Sequence, residues 1–372
     1  MEDKNAHMSL GGGHTKTRSG ELDVWKFIFS IIIVILHSEY LPAEVERVYF
    51  HGGSIFVEFF FIVSGYLMAQ SAEKRKSYQS LARETAGFLR RKISSFYPYL
   101  LFGFIASLTI RSTYYHQGFL QIIKNMCQGI GELLLLKSTG LTGTLFDPPM
   151  WYISAMILSM AVIYPLILKY GDFFKKVVCP LIAFFLLGYL SRKYGHFRAP
   201  EVWDGMFEKG MIRGFAEVAL GVYCYEIGQL ISEIKFTKFS KIIFFLIEYG
   251  SLIAIAVYSN TESCWDMDVP AVLLLAISVI IICGNHSIMA PYWNRSKIVP
   301  YLGKMSLMIY INHIYWAWLL DLMDLDWNYH KMLIVYITGS IVSAVCCWVI
   351  TDYVRKMLKA RKASFRRLFI ES

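Results

Sequence analysis

The chain is patterned as a series of apolar runs without a polar stripe. The segments SIIIVILH (30–37), EFFFIVSGYLMA (58–69) and VLLLAISVIIIC (272–283) are apolar on nearly every side. A helix of this kind lies in a protein core or crosses a bilayer, and crossing needs about 20 such residues. The pattern predicts an all-α, polytopic transmembrane helical bundle of about ten spans, at 22–40, 54–71, 93–111, 149–168, 177–191, 211–232, 242–258, 269–284, 302–323 and 332–352.

The stretch 119–137 departs from this pattern. It carries Lys124, Asn125 and Glu132 among its apolar residues. Polar groups of this kind stay unsatisfied on a lipid-facing span. We therefore expect an interfacial or re-entrant segment here.

Composition excludes a string of soluble domains. Of the 372 residues, 56% are apolar and 17% are charged, whereas soluble domains carry about 45–50% apolar and about 25% charged residues. The net charge of +9 would suggest a nucleic-acid partner in a soluble chain. In a membrane protein the same excess is typical of cytoplasmic loops, so the expected partner is the lipid bilayer and not nucleic acid.

The positions of the basic residues predict the orientation. With both termini cytoplasmic, the inside segments hold 25 of the 37 Lys and Arg residues, the outside segments hold 8 and the spans hold four. An eleventh span at 119–137 would place the basic tail outside, against this bias. The expected layout is a disordered cytoplasmic N-terminus at 1–21, a membrane domain at 22–352 and a basic cytoplasmic tail at 353–372. The seven cysteines show no disulfide framework and no metal-ligand spacing.

Lys26 and His37 place two ionisable groups on the first predicted span. A spacing of eleven residues puts them within about 20° of the same helix face and about 16 Å apart along the axis. An ionisable residue inside a span suggests a functional site. The structural alternative is a lysine that extends to the headgroups and an interfacial histidine; periodicity alone does not separate the two.

The second and fourth spans carry further polar and aromatic candidates. Glu58 lies at about the depth of the first-span histidine and is expected to face the bundle interior. Ser64 and Gly65 lie deeper, where small residues usually serve close helix packing. Trp151 and Tyr152 open the fourth span, where such a pair is usually part of the interfacial aromatic belt.

The sixth and ninth spans each carry a polar pair. Arg213 and Glu217 stand at i, i+4 and could pair with each other. Asn312 and His313 lie mid-membrane, where a buried histidine is as often structural as catalytic.

A basic cluster, Arg90-Arg91-Lys92, precedes the third span and its Pro98. It is either a stop-transfer signal or a patch that binds the phosphates of an anionic substrate.

Together these segments resemble the membrane-bound acyltransferase-3 family of bacterial O-acyltransferases, in order over about 22–352. The matching segments are Leu22-Asp23 with Lys26 and His37, Val57 to Tyr66, Arg90 to Pro98, Pro148 to Tyr152, Arg213-Gly214 with Gly221, and Gly303 to His313. The chain departs from the family at Lys92 and Ser95, where two arginines are common, and at Ala155, where some subgroups have glutamate. A fused extracellular domain is not expected.

The resemblance implies an enzyme of the bacterial inner membrane that moves an acyl group, most often acetyl, from acyl-coenzyme A to a hydroxyl of an exported or cell-envelope carbohydrate. Acyl-coenzyme A would be a substrate, no cofactor would stay bound, and the acceptor would be a polysaccharide or a lipid-linked glycan. His37 would then be the general base, with Glu58 fixing its tautomer.

The remaining roles follow from the same resemblance. Arg213 or Asn312 would stabilise the oxyanion, and His313 would belong to the catalytic group. The donor phosphates would bind a set of four cationic side chains, and the acceptor would bind a pair of aromatic side chains. The cationic set is Lys26, Arg90, Arg91 and Lys92, and the aromatic pair is Trp151 and Tyr152.

Alternatives remain open at this stage. A transporter or uptake module would share the buried polar groups, although matching inverted halves are not found in the sequence. A sensor or scaffold would leave the polar groups structural. Within the enzyme hypothesis, direct transfer and an acyl-histidine intermediate are both possible.

Overall fold

The protein is described by a computed structural model that covers residues 18–42, 49–75, 78, 80–141, 149–260 and 267–370, with side chains as far as Leu358. Within these ranges it is a bundle of helices with one two-residue hairpin. The helices are α1 Gly20–Leu36, α2 Phe56–Glu73, α3 Leu81–Tyr114, α4 Phe119–Leu133, α5 Met150–Phe173, α6 Cys179–Tyr194, α7 Lys209–Ser232, α8 Lys238–Ser259, α9 Asp268–Gly284, α10 Ala290–Arg295, α11 Val299–Asn312, α12 Ile314–Leu322 and α13 Tyr329–Ile370. The strands are β1 Trp203–Asp204 and β2 Phe207–Glu208.

Each of the ten predicted spans is helical, and the all-α, membrane-type fold is confirmed. Five of the helical segments are long and apolar enough to cross a membrane. The number of ten crossings and the cytoplasmic position of both termini stay predictions. The predicted disordered N-terminus falls mostly outside the described residues, while the basic tail continues α13 as helix to Ile370.

The ninth predicted span is two helices, because the chain breaks at His313 between α11 and α12. Asn312 donates from Nδ2 to the carbonyl of Met308 at 2.8 Å, and His313 Nδ1 lies 2.7 Å from the carbonyl of Tyr310. Side chains that bond the preceding turn compete with the helical ladder and bend helices. The break places the imidazole of His313 at the corner between α11 and α12.

The closest helix crossing joins α2 and α7 through two glycines. A Cβ at Gly65 would overlap the carbonyl of Val218, and a Cβ at Gly221 would overlap the carbonyl of Ile62. Small residues allow this approach, as in other membrane helix pairs. The crossing brings Glu58 of α2 close to the first turns of α7.

Pro98 interrupts the hydrogen-bond ladder of α3. Because proline has no N–H, the carbonyl of Ser94 loses its partner four residues later. Arg355 of α13 donates to this carbonyl at 3.5 Å and to that of Ser95 at 3.1 Å. A neighbouring helix thus satisfies the carbonyl freed by the proline, as helices in membranes require.

Helix α4 exposes most of its apolar residues, together with Gln121, Lys124 and Gln128, and buries two polar residues. Phe119 and Leu120 are 76% and 82% exposed, whereas Asn125 and Glu132 are buried against the bundle. Its 15 residues extend about 22 Å at 1.5 Å each, short of the roughly 30 Å hydrocarbon core. The segment has the form of an interfacial helix.

Candidate active site

Three cavities follow one another along α1. The outer cavity, of about 390 Å³, lies at its C-terminal end and is lined by His37, Trp151 and Arg213 among others. The middle cavity, of about 190 Å³, is lined by Lys26 and Lys92. The inner cavity, of about 320 Å³, lies at the helix N-terminus. The middle cavity shares Tyr310 with the outer one and Lys26 with the inner one, so the three form a path through the bundle.

His37 stands where α1 ends and a short 3₁₀ turn, His37–Tyr40, begins. Its Nδ1 lies 2.9 Å from the carbonyl of Ile33 and 3.1 Å from Nε2 of His313. A histidine at a helix C-terminus is favourably placed to carry positive charge, because the helix dipole is negative there. The position therefore stabilises an imidazolium at residue 37.

The contacts of the two histidines fix their tautomers. The carbonyl of Tyr310 can only accept, so His313 Nδ1 carries a proton and its Nε2 is the acceptor nitrogen. His37 Nδ1 then faces two acceptors, Nε2 of His313 and the carbonyl of Ile33, and must donate. In the neutral ring the lone pair of His37 is consequently on Nε2.

Arg213 forms a buried charge cluster beside this histidine. Its Nη2 donates to Glu58 Oε1, its Nε lies 3.9 Å from Glu217 Oε1, and its guanidinium lies 4.7 Å from the Trp151 ring. Arg213 is 1% exposed and the two carboxylates are fully buried. The buried ion pair with Glu58 holds the guanidinium in the cavity wall, because breaking such a pair leaves an uncompensated buried charge.

Backbone contacts fasten the segment between α6 and α7 over the outer cavity. Arg213 Nη1 donates to the carbonyl of Phe197 at 2.8 Å, and the Phe197 N–H donates to Asp268 at 2.6 Å. Lys209 Nζ donates to the carbonyl of Arg198 at 2.6 Å. These bonds hold the residues at 198–201 in the lining of the cavity.

Two carboxyls of the hairpin have altered acidity. Lys193 beside Asp204 lowers the pKa of that carboxyl, with a further hydrogen bond from Tyr189. Burial, together with the nearby Glu201, raises the pKa of Glu208 to about 7. The hairpin is therefore sensitive to pH through Glu208.

The middle cavity is lined by two lysines, and its other lining residues are apolar or carry hydroxyl groups. Lys26 and Lys92 line it together with Ser64, Ser95 and Tyr152. The Ser64 hydroxyl lies 3.5 Å from the hydroxyl of Tyr152. No carboxylate belongs to its lining among the described residues, so this cavity favours an anion.

Tyr310 separates the middle cavity from the outer one and lines both. Its hydroxyl donates to the carbonyl of Pro149 at 2.7 Å, and its ring packs edge-on against Tyr152 at 5.5 Å between centroids. The ring of this side chain stands between the cationic middle cavity and the outer cavity that holds His37.

A family model described as an acyltransferase domain, that of the acyltransferase-3 family, matches residues 19–352. The chain belongs to the acyltransferase-3 family. Neither a curated protein nor a solved structure matches it significantly. As a member, the protein is a membrane acyltransferase.

The structure of this acyltransferase brings six of the eleven sequence-predicted site residues into two adjoining cavities. Trp151 and Tyr152, predicted as one substrate-binding pair, line different cavities. The six are His37, Arg213 and Trp151 in the outer cavity, and Lys26, Lys92 and Tyr152 in the middle one. His313 lies behind His37 and contacts it.

The remaining predicted residues lie elsewhere in the acyltransferase. Arg90 and Arg91 are exposed and outside the lining of the three cavities. Asn312 donates its amide to Met308 and faces Gly103 of α3. The prediction that Glu58 fixes the tautomer of His37 is wrong, because Glu58 binds Arg213 and a second histidine contacts the ring.

Tyr310 was not singled out from the sequence. Its one sequence signal is its position three residues before His313, which puts both on neighbouring turns of one helix. Arg18, which lines the inner cavity, has no such signal, since it precedes the first span among other polar residues.

Proposed function

We propose that this acyltransferase transfers an acyl group, most simply acetyl, from acyl-coenzyme A to a hydroxyl of an exported or cell-envelope carbohydrate. The orientation of His37 carries the proposal: Nδ1 is held by two acceptors, which leaves the basic nitrogen at Nε2 on a residue that lines the outer cavity. The adjoining middle cavity supplies cations for an anionic donor. Family membership favours this function over transport.

In the proposed reaction His37 Nε2 removes the proton of the acceptor hydroxyl as its oxygen attacks the thioester carbonyl. The carbon–sulfur bond then breaks, and the imidazolium returns its proton to the departing thiolate. The products are the O-acyl ester and free coenzyme A. His313 accepts the hydrogen bond of the imidazolium Nδ1 throughout, in the position that a carboxylate occupies in other triads.

Arg213 is the proposed stabiliser of the oxyanion. It lines the same cavity as His37 and is positioned in advance by Glu58 and the Phe197 carbonyl. A donor held before the reaction needs no reorganisation when charge develops, which is what makes such stabilisation effective. Asn312, the alternative considered from the sequence, directs its amide to Met308 instead.

The polar ends of the path fit substrates from opposite sides of a bacterial inner membrane. The middle and inner cavities carry Arg18, Lys26 and Lys92 against one carboxylate, Asp23. The outer cavity carries two arginines and two glutamates in its lining. An anionic donor is therefore favoured on the inner side and an uncharged glycan on the outer side.

The test is acetyl-coenzyme A turnover by purified protein with glycans from the host cell surface, comparing the wild type with His37→Ala. We expect turnover in the wild type and a loss of about 10²–10⁴-fold in the variant. Equal donor consumption by both proteins would refute the assignment. Incubation with labelled donor and no acceptor separates the two mechanisms, since only the covalent one leaves label that depends on His37.

A further inference from the structure

We propose that the inner cavity binds the phosphate-bearing end of the donor, with Arg18 and Lys26 as its anion ligands. The inference rests on the proposed function. Lys26 already belongs to the cationic set expected from the sequence; what is new is Arg18 and the location of the site in the inner cavity. It moves the phosphate site from the Arg90-Arg91 cluster on α3 to the cleft between the start of α1 and the start of α11.

The cavity itself is the first observation. It encloses about 320 Å³ and is lined by Arg18, Asp23, Lys26, Cys283 and others from α1, α2, α9 and α11. It shares Lys26, Leu67 and Gly303 with the middle cavity. A ligand whose charged end rests here can extend an uncharged arm past Lys26 towards Tyr310.

Gly303 sets the width of the cleft. A Cβ at this position would overlap the carboxylate of Asp23, so α1 and α11 can approach this closely only with glycine here. Ser306, one turn later, donates to the carbonyl of Lys26 at 2.9 Å. The two helices are thus fixed against each other at the level where the two cavities join.

Arg18 is placed at the rim of the cavity with its charge partly neutralised. Its Nε lies 2.5 Å from Asp23 Oδ2, and its Nη2 donates to the carbonyl of Pro300 at 3.1 Å. The arginine is half exposed, whereas Asp23 is 5% exposed. The guanidinium can therefore meet a ligand from the solvent side while it stays anchored, and a planar fork of this kind suits phosphate.

The Arg90-Arg91 cluster does not offer comparable geometry. Both side chains are exposed on α3, and neither lines the inner or the middle cavity. Exposed cations act on a distant anion through water and are screened by salt within about 10 Å. Lys92 alone of that cluster lines the path.

The kinetic test compares acetyl-coenzyme A with acetyl-pantetheine, a truncated donor that lacks the nucleotide and its phosphates. Arg18→Gln should raise KM for acetyl-coenzyme A about tenfold, the effect of losing one hydrogen bond to a charged group, and leave KM for acetyl-pantetheine unchanged. Arg295→Gln removes an exposed cation beside α10 as a matched control. Arg18→Lys, which keeps the charge, should recover part of the loss.

Cys283 provides a second readout that does not depend on turnover. Its thiol lines the inner cavity, so a thiol reagent should modify it more slowly when coenzyme A is bound. The protein would carry Cys127→Ser and Cys346→Ser, since these two cysteines are exposed. Mass spectrometry of the modified peptide reports the rate with and without coenzyme A.

The outcomes separate this inference from the proposed function. If acetyl-coenzyme A supports transfer but Arg18→Gln leaves its KM unchanged, or Arg90→Gln with Arg91→Gln raises it instead, the inner-cavity site is refuted and the enzyme assignment stands. The site is also refuted if acetyl-coenzyme A supports turnover but coenzyme A does not slow the modification of Cys283 by the thiol reagent. A wild-type protein that transfers from no acyl-coenzyme A refutes the proposed function.

Discussion

Replacing His313 tests the two-histidine arrangement most directly. His313→Leu places an apolar side chain in a fully buried position and removes the Nε2 acceptor that lies 3.1 Å from His37 Nδ1. The imidazolium formed during transfer would then keep one acceptor, the carbonyl of Ile33 at 2.9 Å. The variant therefore perturbs the orientation and charge of the base without removing it.

The magnitude follows from that geometry. A hydrogen bond to a charged group contributes about 1.5–3 kcal/mol, which corresponds to about 10- to 100-fold in rate. Because the carbonyl of Ile33 still accepts from Nδ1, we expect the lower part of that range, a fall in kcat of about tenfold. KM for the acyl donor should not change, since His313 lines none of the three cavities.

The assay is release of coenzyme A from acetyl-coenzyme A with acceptor glycan, with kcat and KM measured separately. His330→Leu is the matched control, because His330 is exposed at the start of α13. Thermal unfolding in detergent shows whether His313→Leu is folded, and His313→Gln, which restores an acceptor atom, should recover part of kcat.

Two results would refute the reasoning. The first is a folded His313→Leu protein that keeps kcat within twofold of the wild type. The second comes from the double variant: residues that act as one unit are non-additive, so adding His313→Leu to His37→Ala should cost nothing more. A further tenfold loss would show that the two histidines act independently.

Three further variants follow from the packing and charge of the site. Gly221→Ala forces a Cβ into a backbone carbonyl of α2 and should lower the melting temperature. Gly188→Ala, whose Cβ meets nothing within 4 Å, should leave it unchanged. Equal melting temperatures for the two variants would contradict the close approach of α2 and α7. Lys92→Gln should raise KM for acetyl-coenzyme A about tenfold with little effect on kcat, and an unchanged KM would remove Lys92 from the donor site. Burial raises the pKa of Glu208 to about 7, so the carboxyl destabilises the fold as pH rises from about 4.5 to 7. Glu208→Gln should therefore raise the melting temperature, relative to the wild type, more at pH 8 than at pH 5. An equal rise at both pH values would contradict the raised pKa.

The helices can be predicted from the sequence because lipid imposes a simple pattern on them. A span must be apolar and must satisfy its own backbone, so runs such as 272–283 identify α9 directly. The break at His313 was not accessible, since it depends on side chains that bond the preceding turn. Asn125 and Glu132 indicate from the sequence that α4 is not surrounded by lipid, and the fold buries both side chains.

The sequence predicts some residues that line the cavities, but it does not predict how their charged groups pair. Periodicity put Lys26 and His37 on one face of α1, and they line successive cavities. Which partner each charge would find depends on how α2, α7 and α11 cross, and sequence spacing does not fix that. The sequence therefore pairs Glu58 with His37, whereas the structure pairs it with Arg213. It also predicts that Arg90 and Arg91 bind phosphate, which their exposed positions do not favour.

The partition at Tyr310 bears on the electrical insulation of the cell. A polar path through a bilayer would let protons run down the membrane potential, which is worth about 2.3 kcal/mol per elementary charge for each 100 mV. The Tyr310 ring, held at the junction of the middle and outer cavities by its bond to the Pro149 carbonyl, would obstruct such a leak with one side chain. Under the proposed function, an enzyme built this way would modify a sugar on the far side of the membrane without discharging the gradient that drives the cell's transport.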